Sequence, residues 1–198
     1  MDYQKIEEHL KMNPDYDKKS RGNTHAVMKL DQYQYRLKRK FLGEERPKDI
    51  ITQLPEKVDV NSLLDIAEST DYFDYSSLKC GIIGSEIVEN IFSKYMEDVY
   101  SVMFTRLLPG EDILPHADPV RGSIIYVPLC RSENTYAPLE VYQGDKIIAI
   151  GKKDVGSSFV WNTKVQHAVF NREAKVPRYN LQLNCNLTYD EFLEKYVS

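Results

Sequence analysis

Ten consecutive residues near the C-terminus, RYNLQLNCNL (Arg178 to Leu187), alternate polar and apolar without a break. Successive side chains of an extended chain point to opposite faces, so this segment reads as a strand with two unlike sides. Tyr179, Leu181, Leu183, Cys185 and Leu187 make one side; Arg178, Asn180, Gln182, Asn184 and Asn186 make the other. The apolar face needs a core. The polar face needs either bulk water, if the strand lies at an edge, or a wet pocket inside the β-structure.

The chain leading up to this strand has the same texture. From Val99 onward it is rich in β-branched and aromatic residues and cut at short intervals by Pro, Gly and Asn, the pattern of an all-β sandwich or barrel. Strands are expected near Val99 to Leu108, Ser123 to Leu129, Leu139 to Gln143, Lys146 to Ile150, Ser157 to Trp161, Gln166 to Phe170 and Tyr179 to Leu187. Gly144-Asp145 suits a two-residue type II′ hairpin. Strands this close together, with no helices between them, favour an antiparallel fold. The first half carries the helix signals: Ile6, His9 and Leu10; a helix through Leu63, Leu64, Ile66 and Ala67 capped by Asn61 or Ser62; and one after Ser85 with Ile87, Ile91, Phe92 and Tyr95 on one face. The expected organisation is therefore α+β and mainly β. Residues 1–98 form a helical region packed on a β core over residues 99–190, 191–198 form a tail, and the whole is one domain.

Charge narrows the partners. A formal net charge of -4 and a pI near 5.6 give no whole-chain attraction to phosphate, which argues against duplex DNA or an anionic membrane. The basic cluster Arg36 to Lys40 reads as a solvated face. Three cysteines in no CxxC pattern suit a reducing compartment. The charged N-terminus, without an apolar run, is neither a secretory signal nor a membrane span. Both point to the cytosol.

The chemistry concentrates in two places. In an extended chain residues i and i+2 share a side, so His116 and Asp118 of "LLPGEDILPHADP" can converge on one ion, although an Asp before Pro119 also starts turns. Histidine is scarce, with only His9, His25, His116 and His167 in the chain, and His167 follows in the β-like "HAVFN". Two imidazoles and a carboxylate arranged facially are the ligand set of a non-haem Fe(II) site with open positions. Arg178 comes shortly after, and its rigid fork fits a carboxylate in a way lysine cannot copy. Trp161 and Asn162, before the distal histidine, belong to the pocket wall or the core.

The order His116-x-Asp118, His167, Arg178 resembles that of the Fe(II)/2-oxoglutarate-dependent oxygenases. "RLLPGEDILPHADP" and "HAVFN" look most like the aspartyl/asparaginyl β-hydroxylases and their proline-hydroxylase-like relatives. The resemblance covers roughly Val99 to Leu187. It implies a double-stranded β-helix (a cupin-like jelly roll), with His116, Asp118 and His167 binding Fe(II) and Arg178 gripping the distal carboxylate of 2-oxoglutarate. Thr105 and Tyr126 are implied as hydrogen-bonding partners of the cosubstrate carboxylates. The implied reaction consumes O2 and 2-oxoglutarate, releases succinate and CO2, and hydroxylates an unactivated C–H bond. Arg106 and Arg121 are candidates to meet an anionic group on the substrate, expected to be an amino acid or a peptide side chain. Aspartyl β-hydroxylases resembling this motif can have Gly where Asp118 stands, so the full triad sets this chain nearer the commoner oxygenase pattern. The competing reading is a non-catalytic cupin-like module that binds a metal and a ligand.

Overall fold

A computed structural model describes residues 50–75, 78–118, 122–131, 136–143 and 146–198. In chain order these form β1 (Ile51–Lys57), α1 (Val60–Ser69), β2 (Phe73–Tyr75), β3 (Leu78–Ile82), α2 (Glu86–Ile91) and a 3-10 turn at Ser93–Asp98. There follow β4 (Val99–Leu107), β5 (Asp112–His116), β6 (Ser123–Leu129), β7 (Leu139–Gln143) and β8 (Lys146–Ile150). After a second 3-10 turn at Lys152–Asp154 come β9 (Ser157–Asn162), β10 (His167–Phe170), β11 (Arg178–Cys185) and α3 (Tyr189–Tyr196).

Among the described residues the strands make two sheets, one of seven in the order β1-β9-β6-β11-β4-β3-β2 and one of four in the order β5-β10-β7-β8. Every pairing is antiparallel. From β4 to β11 the chain passes between the two sheets, so that β4, β6, β9 and β11 lie in the larger and β5, β7, β8 and β10 in the smaller. This is the double-stranded β-helix, with β11 held between β6 and β4 rather than at an edge. The polar face of β11 is therefore not turned to bulk water.

Two apolar clusters separate the faces of the large sheet. On the outer face Phe104, Ile125, Val127, Leu181 and Leu183 pack against α1, α2 and α3 through residues such as Leu63, Phe92 and Phe192. On the inner face Leu107, Ile124, Tyr126 and Trp161 meet Val141 and Val169 of the small sheet. Alternation along each strand sends neighbouring residues into different clusters.

The expected helical layer is present in α1 and α2, but its residues also supply strands. β1 extends the large sheet beside β9, and β3 and β2 extend it beside β4. Residues 191–198 are not a loose tail. Thr188 and Glu191 form a capping box that starts α3, and Phe192 is fully buried. The cap of α1 is Asp59 rather than Asn61 or Ser62: its carboxylate accepts from the Asn61 N–H (3.2 Å) and the Ser62 hydroxyl (2.6 Å), which holds its pKa below the ordinary value. Ser85 sits at the cap position of α2 without a side-chain bond. The helix ends at Ile91, so Val88 is the residue it buries and Ile87 stays about half exposed. The Ile6–Leu10 stretch, the Arg36–Lys40 cluster and Gly144-Asp145 lie outside the described residues, although β7 and β8 pair up to Gln143↔Lys146.

Candidate metal centre and anion clamp

The two sequence segments singled out above are laced together by backbone. Pro109-Gly110 turns the chain from β4 into β5 with Gly110 at φ +82°, a conformation that favours glycine. The Gly110 N–H donates to the Asn171 carbonyl (3.2 Å), and Asn171 Nδ2 donates to the Leu108 carbonyl (2.8 Å). The Asn171 N–H donates to Asp112 Oδ1 (2.6 Å), while Arg172 Nε donates to Asp112 Oδ2 (3.1 Å). Asp112 is fully buried, and this charge-assisted pairing satisfies a carboxylate that burial would otherwise penalise. The flanks of the motif thus fix the position of β5 against β10.

That register sets His116 directly opposite His167. Their rings stand 4.2 Å apart between centroids. Asp118 reaches the same point from the chain beyond β5, held by its N–H donating to the Thr163 carbonyl at 2.9 Å. One ligand atom from each of His116, Asp118 and His167 lies within 4.8 Å of the others. Asp118 and His167 are buried and His116 is partly exposed, which leaves one side of the group open. After the triplet, Gly122 runs so close to the Leu187 carbonyl that an added Cβ would stand 2.1 Å from its oxygen, so a side chain there would push the loop away.

The ring nitrogens are already assigned. His116 Nδ1 donates to the Leu114 carbonyl (2.8 Å) and His167 Nδ1 to the Val165 carbonyl (3.1 Å). A carbonyl can only accept, so each Nδ1 carries a proton, and in the neutral imidazole Nε2 is the nitrogen that offers a lone pair. His116 Nε2 lies 3.9 Å from Asp118 Oδ1. Two imidazole lone pairs and a carboxylate oxygen, each imidazole oriented by a backbone partner, fit a divalent transition-metal ion such as Fe(II).

The anion clamp is built on the inner face of β11. Arg178 is 2% exposed. Its Nε donates to the Ala137 carbonyl (2.8 Å) and its Nη2 to the Tyr126 hydroxyl. Tyr126 in turn donates to Asn180 Oδ1 (2.5 Å), as does Tyr136, and Asn180 Nδ2 donates to Thr105 Oγ1 (2.9 Å). Burial pushes both phenols above their ordinary pKa, against the opposing pull of the guanidinium, so both stay protonated donors. Among the described residues no carboxylate lies within ion-pair distance of Arg178, and two of its five N–H groups are engaged by those neutral partners. A buried cation faced by neutral partners is costly unless an anion joins it.

Thr105 is thus linked to Tyr126 and Arg178 through Asn180, and Tyr136 joins them. Asn180 had been visible only as one member of the polar face; Tyr136 gave no signal, because the chain from Cys130 to Leu139 has no regular period. Trp161 packs edge-on to His167, with centroids 4.4 Å apart. Arg106 does not belong here. It follows Thr105 on β4 and so faces the opposite way, with its guanidinium over the Tyr72 ring at 4.2 Å on the outer face. Arg121 lies outside the described residues.

No protein-family model matches the chain, and no curated protein matches its sequence. Its fold is nonetheless similar to those of solved enzymes. A prolyl hydroxylase from Trichoplax adhaerens, in complex with a hypoxia inducible factor oxygen degradation domain peptide fragment, superposes with TM-score 0.57 at 13% identity, over 87% of this chain and 98% of that one. A prolyl-4-hydroxylase from Pseudomonas putida gives TM-score 0.55 at 14% identity, over 71% of this chain and 94% of that one. HygX from Streptomyces hygroscopicus, with nickel, 2-oxoglutarate and hygromycin B bound, gives 0.54 at 10%, over 70% and 83%. This chain shares its fold with those three proteins.

Proposed function

We propose that this protein is an Fe(II)- and 2-oxoglutarate-dependent oxygenase that hydroxylates an unactivated C–H bond of an amino acid or a peptide side chain. The observation that carries the reading is the pairing of two sites inside one barrel: a His116–Asp118–His167 group with both Nε2 lone pairs presented, and a buried Arg178 with neutral partners. A structural metal site would need no carboxylate clamp beside it. Iron bound there with 2-oxoglutarate and O2 would supply oxidative decarboxylation to succinate and CO2 together with hydroxylation of the substrate.

The protein's own residues would bind and orient. His116, Asp118 and His167 would hold the ion on one side only, leaving the open side to ligands. Arg178 offers three further N–H groups to a carboxylate, and Thr105 Oγ1, which accepts from Asn180, keeps its own proton to donate. Isoleucine, tryptophan and valine side chains of the inner cluster exclude water from the space between. Two of the three similar folds are named as prolyl hydroxylases and the third holds 2-oxoglutarate, which supports a peptide or small-molecule substrate. Nearness to the aspartyl/asparaginyl group rests on "RLLPGEDILPHADP" and "HAVFN" alone. The three cysteines form no disulfide, which suits the cytosol, and among the described residues no helix is long and apolar enough to cross a membrane.

The direct test is succinate release from 2-oxoglutarate under air with Fe(II), screened for stimulation by peptides and amino acids. Stimulated release that His116→Ala abolishes supports the reading. A folded, iron-loaded protein that binds 2-oxoglutarate and never turns it over would be the non-catalytic module instead.

A further inference from the structure

The polar face of β11 continues past the Arg178–Asn180 clamp. Gln182 is partly exposed, and Asn184, two residues on, is 1% exposed. Asn184 Nδ2 donates to Ser101 Oγ at 2.7 Å, but among the described residues its Oδ1 accepts nothing. The register places Asn184 opposite Ile124 of β6, and Ile124 opposite Trp161 of β9. Directly opposed residues share a face, so Asn184, Ile124 and Trp161 form one row across the inner wall. Trp161 is 2% exposed, and among the described residues its Nε1–H also has no partner. The row ends at the candidate metal centre, where the Trp161 ring meets His167.

A buried acceptor and a buried donor, each without a partner, flank one isoleucine. Folded interiors rarely keep such atoms, because each forfeits its bond to water. Adjacent strands lie about 4.8 Å apart, so the two side chains rise from backbones about 9.6 Å apart. A trans amide presents its N–H and C=O on opposite sides. With its nitrogen and oxygen about 2.3 Å apart and hydrogen bonds of about 2.9 Å, it bridges two groups about 8 Å apart. We propose that this row is a substrate subsite for an amide lying across Ile124, its N–H donating to Asn184 Oδ1 and its C=O accepting from Trp161 Nε1. The partly exposed Ser101, Met103 and Gln182 on the same face provide the approach. Resting on the oxygenase reading for its place beside the reaction centre, the subsite narrows the substrate to one that carries an amide, such as a peptide, an amidated amino acid, or asparagine or glutamine through the side chain, and excludes the other free amino acids.

Trp161 is the only tryptophan in the chain, so its indole N–H gives a single NMR resonance that reports on the site. Full-length protein is titrated with N-methylbutanamide and, separately, with methyl butanoate, which keeps the carbonyl and lacks the N–H. Both titrations are run with and without Zn(II) and 2-oxoglutarate. The subsite predicts a saturable shift with the amide, binding of the ester weaker by about five- to tenfold, and loss of that preference in Asn184→Leu. Asn184→Leu should melt at the same temperature as the parent or higher, because it removes an unsatisfied polar atom. An indole resonance that the amide leaves unmoved, a preference that survives in Asn184→Leu, or a clear fall in that variant's melting temperature overturns the proposal. Failure of the oxygenase reading would show separately as absent Zn(II) binding, while the metal-free titration still reads the amide.

Discussion

Leu183 and Asn184 are consecutive residues of β11, both 1% exposed or less, yet they do opposite things. Leu183 faces the helices of the outer layer, where burial of apolar surface is its whole contribution. Asn184 faces the barrel interior, as do Asn180 and Arg178, where burial is a cost that hydrogen bonds only partly offset. The outer face is chemically content: its buried side chains are almost all hydrocarbon. Among the described residues the inner face carries a guanidinium without a facing carboxylate, a convergent His–Asp–His group, and unpartnered polar atoms on Asn184 and Trp161. Burial by itself therefore marks neither a core nor a site. The mismatch between burial and polarity does, and among the described residues it is densest on the inner face of the sheet, the outer face showing it at Arg106 Nε.

Substitutions on the two faces should separate binding from stability. The largest effect is expected from His167→Ala, which removes a direct ligand. Metal affinity should fall by more than the roughly ten- to hundredfold that loss of a mere outer partner costs, as measured by competition with a chelator, and the melting temperature of the metal-free protein should change little. Leu183→Ala should do the reverse, costing about 2–5 kcal/mol of unfolding free energy in urea while metal affinity in the folded protein stays unchanged. Arg178→Met should weaken 2-oxoglutarate binding by about 10- to 150-fold, the range of one or two hydrogen bonds to a charged group, without destabilising the fold, because it removes a buried charge. Equal stability losses from Leu183→Ala and Arg178→Met would erase the contrast between the faces.

The smallest effect concerns the clasp that holds α3 to the outer layer. Lys195 donates to Glu97 and Asp98, both at 2.7 Å, and Tyr196 donates to the same two carboxylates. These bonds, with Lys195 first, hold both carboxyls below their ordinary pKa. Depressed folded pKa values contribute stability above the usual carboxylate range near about 4, and that stability is lost as pH falls through the depressed values. Lys195→Met should flatten this part of the acid limb of a stability–pH profile, lowering the plateau above about pH 6 without changing its slope there, so that parent and variant converge at low pH.

The sequence disclosed the β core because its strands are rich in β-branched and aromatic residues between Pro, Gly and Asn breaks: Ser123–Leu129, Leu139–Gln143 and Lys146–Ile150 stand where that texture places them. β5 was hidden by Asp112 and Pro115, residues that strands rarely carry in their interior. β1 contains Pro55 and lies at the sheet edge, where a missing N–H is tolerated. The convergence of His116, Asp118 and His167 was legible from residue type and order. Their tautomers were not, because they depend on the carbonyls of Leu114 and Val165, which any residue would supply. Arg106 was misplaced for a reason the sequence did contain: a residue adjacent to Thr105 on a strand cannot share its face.

The central claim is that one barrel interior joins a metal group to a carboxylate clamp, so that a single molecule of 2-oxoglutarate touches both. Anaerobic addition of Fe(II) and then 2-oxoglutarate tests it most directly through the visible metal-to-ligand charge-transfer absorption that chelation produces. A band that appears with the parent protein, requires His116 and His167, and needs far more 2-oxoglutarate in Arg178→Met is the predicted result. A folded, iron-loaded protein that shows no band at saturating 2-oxoglutarate would contradict it.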